Sequence, residues 1–390
     1  MKKFKIVLAI SLLLLISSFY LFTSGPREGL PHTNPVDKTI SLNRRQNITE
    51  NAKVSHERFS SLAFAEPDKR SIFSTQVADV VRTVKGVARD LGDREEVREY
   101  GTWIWTPVPQ MTESYINGII TGAKANKVNV IYVSIDSYLD IYVLSEGAEK
   151  KRQEKAFGDK LENFIKLANK KGIEIDAEAG WQNWAEDKHE YKALAILEYV
   201  KRFNETREHK FRGFQYDVEP YLLKRFGYFP AAVLTDFVEL VDKSESFLGE
   251  SGIRFSVVIP DFFDDIDGVA PIFRYGARKD SVITHLLDIL ERREGSSLIL
   301  MSYRNIAEGA DGSIEISQNE FQTAKRGFYG TKIIVAQETG DFPPPYITFH
   351  GTSKRYLNSE VTKINKTFDQ HANFGGIAIH YVNSFLDLRD

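Results

Sequence analysis

The 390-residue sequence contains no cysteine. That excludes a disulfide framework, a thiolate-ligated zinc or iron–sulfur centre and a thiol nucleophile. An excess of either charge is missing too: 51 Lys and Arg stand against 54 Asp and Glu, a formal net charge of −3. No Lys/Arg-dense patch breaks that balance, so nucleic acid is not an expected partner. What is abundant is aromatic side chain, 26 Phe, 17 Tyr and 4 Trp, within a hydrophobic content of 42%. Such a composition builds a packed core and excludes a disordered chain.

The N-terminus begins MKKFK and continues into an uncharged apolar run over 6–22. Lysines ahead of such a run are the pattern of a secretory signal or an uncleaved signal anchor. At about 17 residues the run lies at the lower limit for spanning a bilayer. Residues 1–24 are therefore expected to direct export, with 6–22 as a possible membrane tether. The protein would be secreted, periplasmic or held at the outer face of a membrane. Sequons begin at Asn47, Asn204 and Asn365. Residues 25–96 form a linker with Pro26, Pro31 and Pro35, followed by an amphipathic helix over 74–91 that ends at Gly92.

From residue 97 onward, short β-branched or aromatic runs alternate with longer helical segments. Strands are expected at 101–106, 128–135, 173–179, 213–219, 253–260, 297–303, 331–338 and 375–381. Amphipathic segments such as 160–171 and 231–248 lie between them, and Gly172, Gly252 and Gly295 act as stops. Eight strands alternating with helices over roughly 290 residues predict a single α/β domain, a (β/α)8 TIM barrel covering 97–390. The alternative, a doubly wound open sheet, normally carries a Gly-rich turn after its first strand. WTPVPQ stands there instead.

In a barrel of this kind the chemistry lies at the C-terminal ends of the strands. Those ends offer Asp136, Glu178, Asp217, Glu219, Tyr303, Arg304, Gln337, Glu338, His380 and Tyr381. Trp181 and Trp184 follow strand three and suit stacking on a sugar ring. Trp103 and Trp105 share a face of strand one, where core filling is the expected role. Asp261 fits a helix cap or loop residue. Paired carboxylates in an aromatic cleft are the machinery of glycoside hydrolysis, one as acid and the other as nucleophile or base. His350 and His380 lack the His-x-x-x-His spacing of a metal site, and neither a metal nor a cofactor is expected.

Two family resemblances meet at these residues. FRGFQYDVEPY (211–221) resembles the strand-four signature of family-18 chitinases, Asp-Gly-x-Asp-x-Asp-x-Glu. That likeness implies Glu219 as the acid and Asp217 as the residue positioning the substrate's acetamido group. Arg212 and Gln215 occupy the first two acidic positions, and LMSYR keeps Met301 and Tyr303 but has Arg304 where the family has Asp. Strand eight ends in His-Tyr-Val, where that family usually has Trp. The chain is also similar to retaining barrel hydrolases with an acid/base Glu after strand four and a nucleophilic Glu after strand seven. Glu219 and Glu338 sit at those places, with Val218 where an Asn usually precedes the acid/base.

The expectation is thus an exported glycosidase acting on a polysaccharide or cell-wall glycan. Glu219, Glu338, Asp217 and Tyr303 would be catalytic; Trp181, Trp184, Gln337, Arg304, Asp136, Glu178, His380 and Tyr381 would bind substrate. Asp217 would raise the proton affinity of Glu219 by like charge. Arg304 would either receive an acidic sugar or neutralise Asp217 or Glu219. The rival from another class is a non-catalytic, membrane-tethered barrel that binds polysaccharide. Oligomeric state is open.

Overall fold

The computed structural model describes residues 97–390 apart from Asp267, together with Arg82. The segments 1–24 and 25–96 therefore lie outside the described residues, Arg82 excepted. Arg82 is helical, pairs with Asp288 at 2.9 Å and lies over the Tyr329 ring. Among the described residues no helix is long and apolar enough to cross a membrane.

Eight parallel strands close into a barrel: β1 (Glu99–Ile104), β2 (Val130–Ser134), β3 (Glu174–Ala179), β4 (Gly213–Tyr216), β5 (Arg254–Pro260), β8 (Ser297–Met301), β9 (Lys332–Glu338) and β10 (Phe374–His380). Their order around the barrel is β1-β10-β9-β8-β5-β4-β3-β2. Parallel neighbours need crossover connections, and helices supply them. Among these are α1 (Glu113–Ala125), α2 (Tyr138–Tyr142), α3 (Ala148–Asn169), α4 (Asp187–Thr206) and α5 (Pro230–Leu248). They continue as α6 (Val282–Leu290), α7 (Ser313–Arg326), α8 (Lys354–Phe368) and α9 (Val382–Asp387). The fold is a single (β/α)8 barrel. An antiparallel hairpin, β6 (Ile272–Tyr275) with β7 (Arg278–Ser281), interrupts the repeat after β5 and was not foreseen from the sequence.

Side chains alternate across each strand, which splits the core in two. Trp103, Val130, Tyr132, Val258, Ile299, Ile334, Ala336 and Ala378 fill the barrel interior. Ile131, Val133, Phe214, Tyr216, Val257 and Leu300 belong to the larger cluster between sheet and helices. The interior also holds Gln215, whose Oε1 accepts the Trp103 Nε1–H at 2.6 Å. Near the N-terminal end of the barrel, Arg212 donates to Glu99 at 2.8 Å and to Asp176 at 2.5 Å. Tyr132 Oη donates to the same Glu99. Arg212 and Gln215 thus serve the floor and interior of the barrel, whereas the family-18 pattern has acidic residues there.

Three strands end two or more residues earlier than the hydrophobic pattern suggests, β1 among them at Ile104. β4 stops at Tyr216 and β8 at Met301, so Asp217, Glu219 and Tyr303 stand beyond the sheet, at the mouth. The ends of β3 and β4 approach closely: a Cβ on Gly180 would sit 1.8 Å from the Asp217 carbonyl oxygen. Only glycine fits, and the Asp217 N–H donates to Ala179 O at 3.1 Å. That contact sets where the carboxylate-bearing segment 217–219 leaves the barrel.

Candidate active site

Glu338 ends β9 and His380 ends β10, and they are direct partners in the strand register. His380 Nδ1 lies 2.6 Å from Glu338 Oε2, while Glu338 Oε1 accepts the Gly340 N–H at 2.5 Å. Glu338 is 3% exposed. On the other side of the imidazole, Trp105 Nε1–H donates to His380 Nε2 at 2.9 Å. Aromatic rings crowd this imidazole: Trp103 at 5.7 Å, Trp105 at 5.6 Å, Tyr303 at 6.0 Å, Phe342 at 6.4 Å and Tyr381 at 5.3 Å.

Glu219 and Asp217 are half-buried beyond β4. Tyr221 Oη donates a hydrogen bond to Glu219 Oε1. These carboxylates and Glu338 act on common neighbours. Burial first, then the charges of Glu338, Asp217 and Glu219, push the Tyr303 phenol well above its ordinary value. Burial would lower the His380 pKa, but the adjoining Glu338 carboxylate, with Asp217 and Glu219 behind it, turns the shift upward from 6.5. One phenol and one imidazole therefore feel all three carboxylates. Tyr221, held high by burial and then by Glu219, also feels Asp217 and Tyr303.

The loop after β9 is fastened back onto the site. Thr339 N–H donates to His380 O at 2.7 Å, and Phe349 N–H donates to Glu338 O at 2.8 Å. Thr348 Oγ1 donates to Gly340 O at 2.6 Å. Glu338 is thereby held through its backbone as well as its side chain.

Several expected site residues lie elsewhere. Gln337 points out of the barrel: its Nε2 donates to Ser302 O at 3.0 Å and its Oε1 accepts from Ser313 Oγ at 3.1 Å. Being fully buried against α7, it cannot meet a substrate. Trp184 is 1% exposed and packs edge-on against Tyr216 in the layer outside the sheet, so it has no free face for a sugar. Arg304 reaches neither Asp217 nor Glu219 as an ion-pair partner; it pairs with Asp261 at 3.4 Å and Asp311 at 3.1 Å. Asp261 is correspondingly an ion-pair residue, its pKa pushed up to about 6 by burial against the pull of Arg304.

The others stay near the mouth. Asp136 is half-buried ahead of α2, and Tyr381 is half-buried beside His380. Glu178 is 1% exposed on the inward face of β3. Trp181 is half-buried, with Lys192 Nζ 5.3 Å from its ring centre. His350 is exposed and 3.2 Å from Asp341. Among the described residues no three His, Asp or Glu side chains are placed to hold a metal ion. Sequence reasoning passed over Tyr221 and the bonding role of Trp105. The signal for Tyr221 was its place two residues after Glu219; for Trp105 there was none, since its partner is 275 residues away.

These features define a (β/α)8 barrel whose mouth gathers carboxylates, a histidine and aromatic rings. No protein-family model matches the sequence, and no curated protein does. Solved structures resemble it distantly. An endo-1,4-β-D-mannanase from Thermotoga petrophila has 13% identity and a TM-score of 0.45, over 73% of this chain and 88% of that one. A family-18 chitinase from Pseudoalteromonas aurantia has 14% identity and a TM-score of 0.45, over 73% and 93%. A D-psicose 3-epimerase from Clostridium cellulolyticum H10 has 11% identity and a TM-score of 0.41, over 74% and 89%. Each is a likeness of architecture and assigns no reaction.

Proposed function

We propose that this chain is a glycoside hydrolase that cleaves a glycosidic bond in a polysaccharide or cell-wall glycan by carboxylate catalysis. The observation that carries the proposal is a pair of glutamates at the strand ends of one barrel mouth: Glu338, bonded to His380 and Gly340 at the end of β9, and Glu219, bonded by Tyr221 beyond β4. Paired carboxylates with a wall of rings suit a sugar between them. In the two-glutamate form, Glu219 gives its proton to the leaving glycosidic oxygen as that C–O bond breaks. Glu338 attacks the anomeric carbon and forms a glycosyl ester. Water, deprotonated by Glu219, then releases the sugar and returns both groups to their starting state.

Placement of Glu338 at the end of β9 favours this form over the family-18 form, in which Asp217 would position an acetamido group and Glu338 would have no part. With Arg304 engaged by Asp261 and Asp311, the reason for expecting an acidic sugar is gone. A carboxylate-lined mouth suits a neutral or basic glycan better. Export, proposed from the lysines and apolar run of the first 22 residues, would put the enzyme with extracellular or envelope glycans. One observation favours the second reading, a barrel that only binds glycan: Glu338 is nearly fully buried with both oxygens engaged.

A panel of chromogenic glycosides and cell-wall polymers separates the two. Wild type should turn over at least one, and Glu219→Gln or Glu338→Gln should each lower kcat on it by about 10²–10⁴-fold. Unchanged activity in Glu219→Gln would sink the assignment. Tight glycan binding with no turnover would replace the enzyme by the binding barrel.

A further inference from the structure

We infer that His380 is a positioning residue: fixed by Trp105 as the Nδ1–H tautomer, it holds the Glu338 carboxylate in place. The inference rests on Glu338 being the second carboxylate of the proposed reaction. It replaces the expectation that His380 contacts substrate.

An indole N–H donates and never accepts. The Trp105 Nε1–His380 Nε2 contact of 2.9 Å therefore requires a lone pair on Nε2. The single ring proton is then on Nδ1, which stands 2.6 Å from Glu338 Oε2 and donates to it. Gly340 N–H donates to the other oxygen. A carboxylate with a donor on each oxygen has its plane fixed at both ends. Barrel topology provides the line-up, because β1, β10 and β9 are consecutive around the barrel. Trp105 follows β1, and His380 and Glu338 end the other two strands.

The titratable groups facing His380 are Glu338 on β9, Asp217 and Glu219 beyond β4, and Tyr303 beyond β8. The three carboxylates favour the imidazolium. Trp105 opposes it, because a protonated Nε2 would set two N–H groups against each other. Protonation of His380 and the Trp105 hydrogen bond are therefore mutually exclusive, and the bond holds the ring neutral in the geometry observed. With Nε2 occupied, the imidazole has no lone pair left to act as a base on substrate; its influence passes through Glu338.

The test uses the full chain labelled with ¹⁵N-histidine, with His380 assigned by the resonance lost in His380→Asn. Above the histidine titration, its Nε2 should resonate as an unprotonated nitrogen and its Nδ1 as a protonated one. Trp105→Phe should move the His380 titration to higher pH. His380→Phe should lower kcat about tenfold or more with KM little changed, because Glu338 loses one of the two donors that orient it. His380→Asn, whose amide N–H stands near the place of Nδ1, should recover most of that loss. The opposite tautomer, an unchanged kcat in His380→Phe, or an equal loss in both variants would overturn the inference. Absence of turnover in wild type would defeat the glycosidase reading alone. The tautomer and the Trp105→Phe titration would then still decide the inference.

Discussion

Glu320 lies on α7 with no exposed surface, and neither carboxylate oxygen accepts a hydrogen bond among the described residues. Burial, with Asp264 and Asp261 adding like charge, raises its pKa well above 4.5. The folded state then binds the proton more tightly than the unfolded chain does. The stability tied to this group is complete below the unfolded value and is lost as pH rises above it. Glu320→Gln should flatten that decline and be more stable than wild type at pH 8, by about 1–3 kcal/mol. Urea unfolding at pH 5 and pH 8 measures both; a variant that is no more stable at pH 8 contradicts the account. The same scale shows why some site residues were legible and others were not. Glu338 and Gln337 are neighbours, and a period of two sends one into the mouth and the other under a helix. Position at the strand end marks both as mouth residues, and only the face of the strand separates them. Trp184 and Arg304 depend on partners far along the chain, Tyr216 and Asp261, which no local pattern announces.

Among the elements, the strands were legible because each is a short run of β-branched and aromatic residues between helical repeats. β2, VIYVS, is buried on both faces and reads as one apolar block. The β6–β7 hairpin carries no such pattern: β7 is RKDS, and the ladder is anchored from outside, as by Tyr275 Oη donating to Asp242 at 2.7 Å. The contact between the ends of β3 and β4 is equally silent in sequence, since Gly180 looks like any loop glycine. Gly180→Ala should force the strand ends apart, lowering stability by about 1–3 kcal/mol. It should also depress kcat on whichever glycoside proves to be a substrate, because Asp217 and Glu219 would move. A thermal melt beside a rate measurement checks both, and an unperturbed melt would show that the contact is not required.

The described residues form a barrel with a floor. Arg212, Glu99, Asp176 and Tyr132 join β1 to β4 near its N-terminal end, and Asp176 is almost fully buried. Removing the guanidinium strands the buried Asp176 carboxylate and the half-buried Glu99, so Arg212→Ala should cost about 3–5 kcal/mol. Replacing Arg212, Glu99 and Asp176 together by apolar residues of matched volume should cost much less. Chemical denaturation of the single and triple variants tests the pair, and equal losses would refute it. The fastened loop after β9 has a mechanical meaning. Its return to the strand end, through Phe349 to Glu338 and Thr348 to Gly340, makes it a closed clasp. Swinging it aside would break hydrogen bonds to Glu338's own backbone and to the carbonyl of Gly340. Opening on that side would thus dismantle the site it exposes. On the Glu338 side the mouth therefore has a fixed wall, one that cannot open without loss of that arrangement.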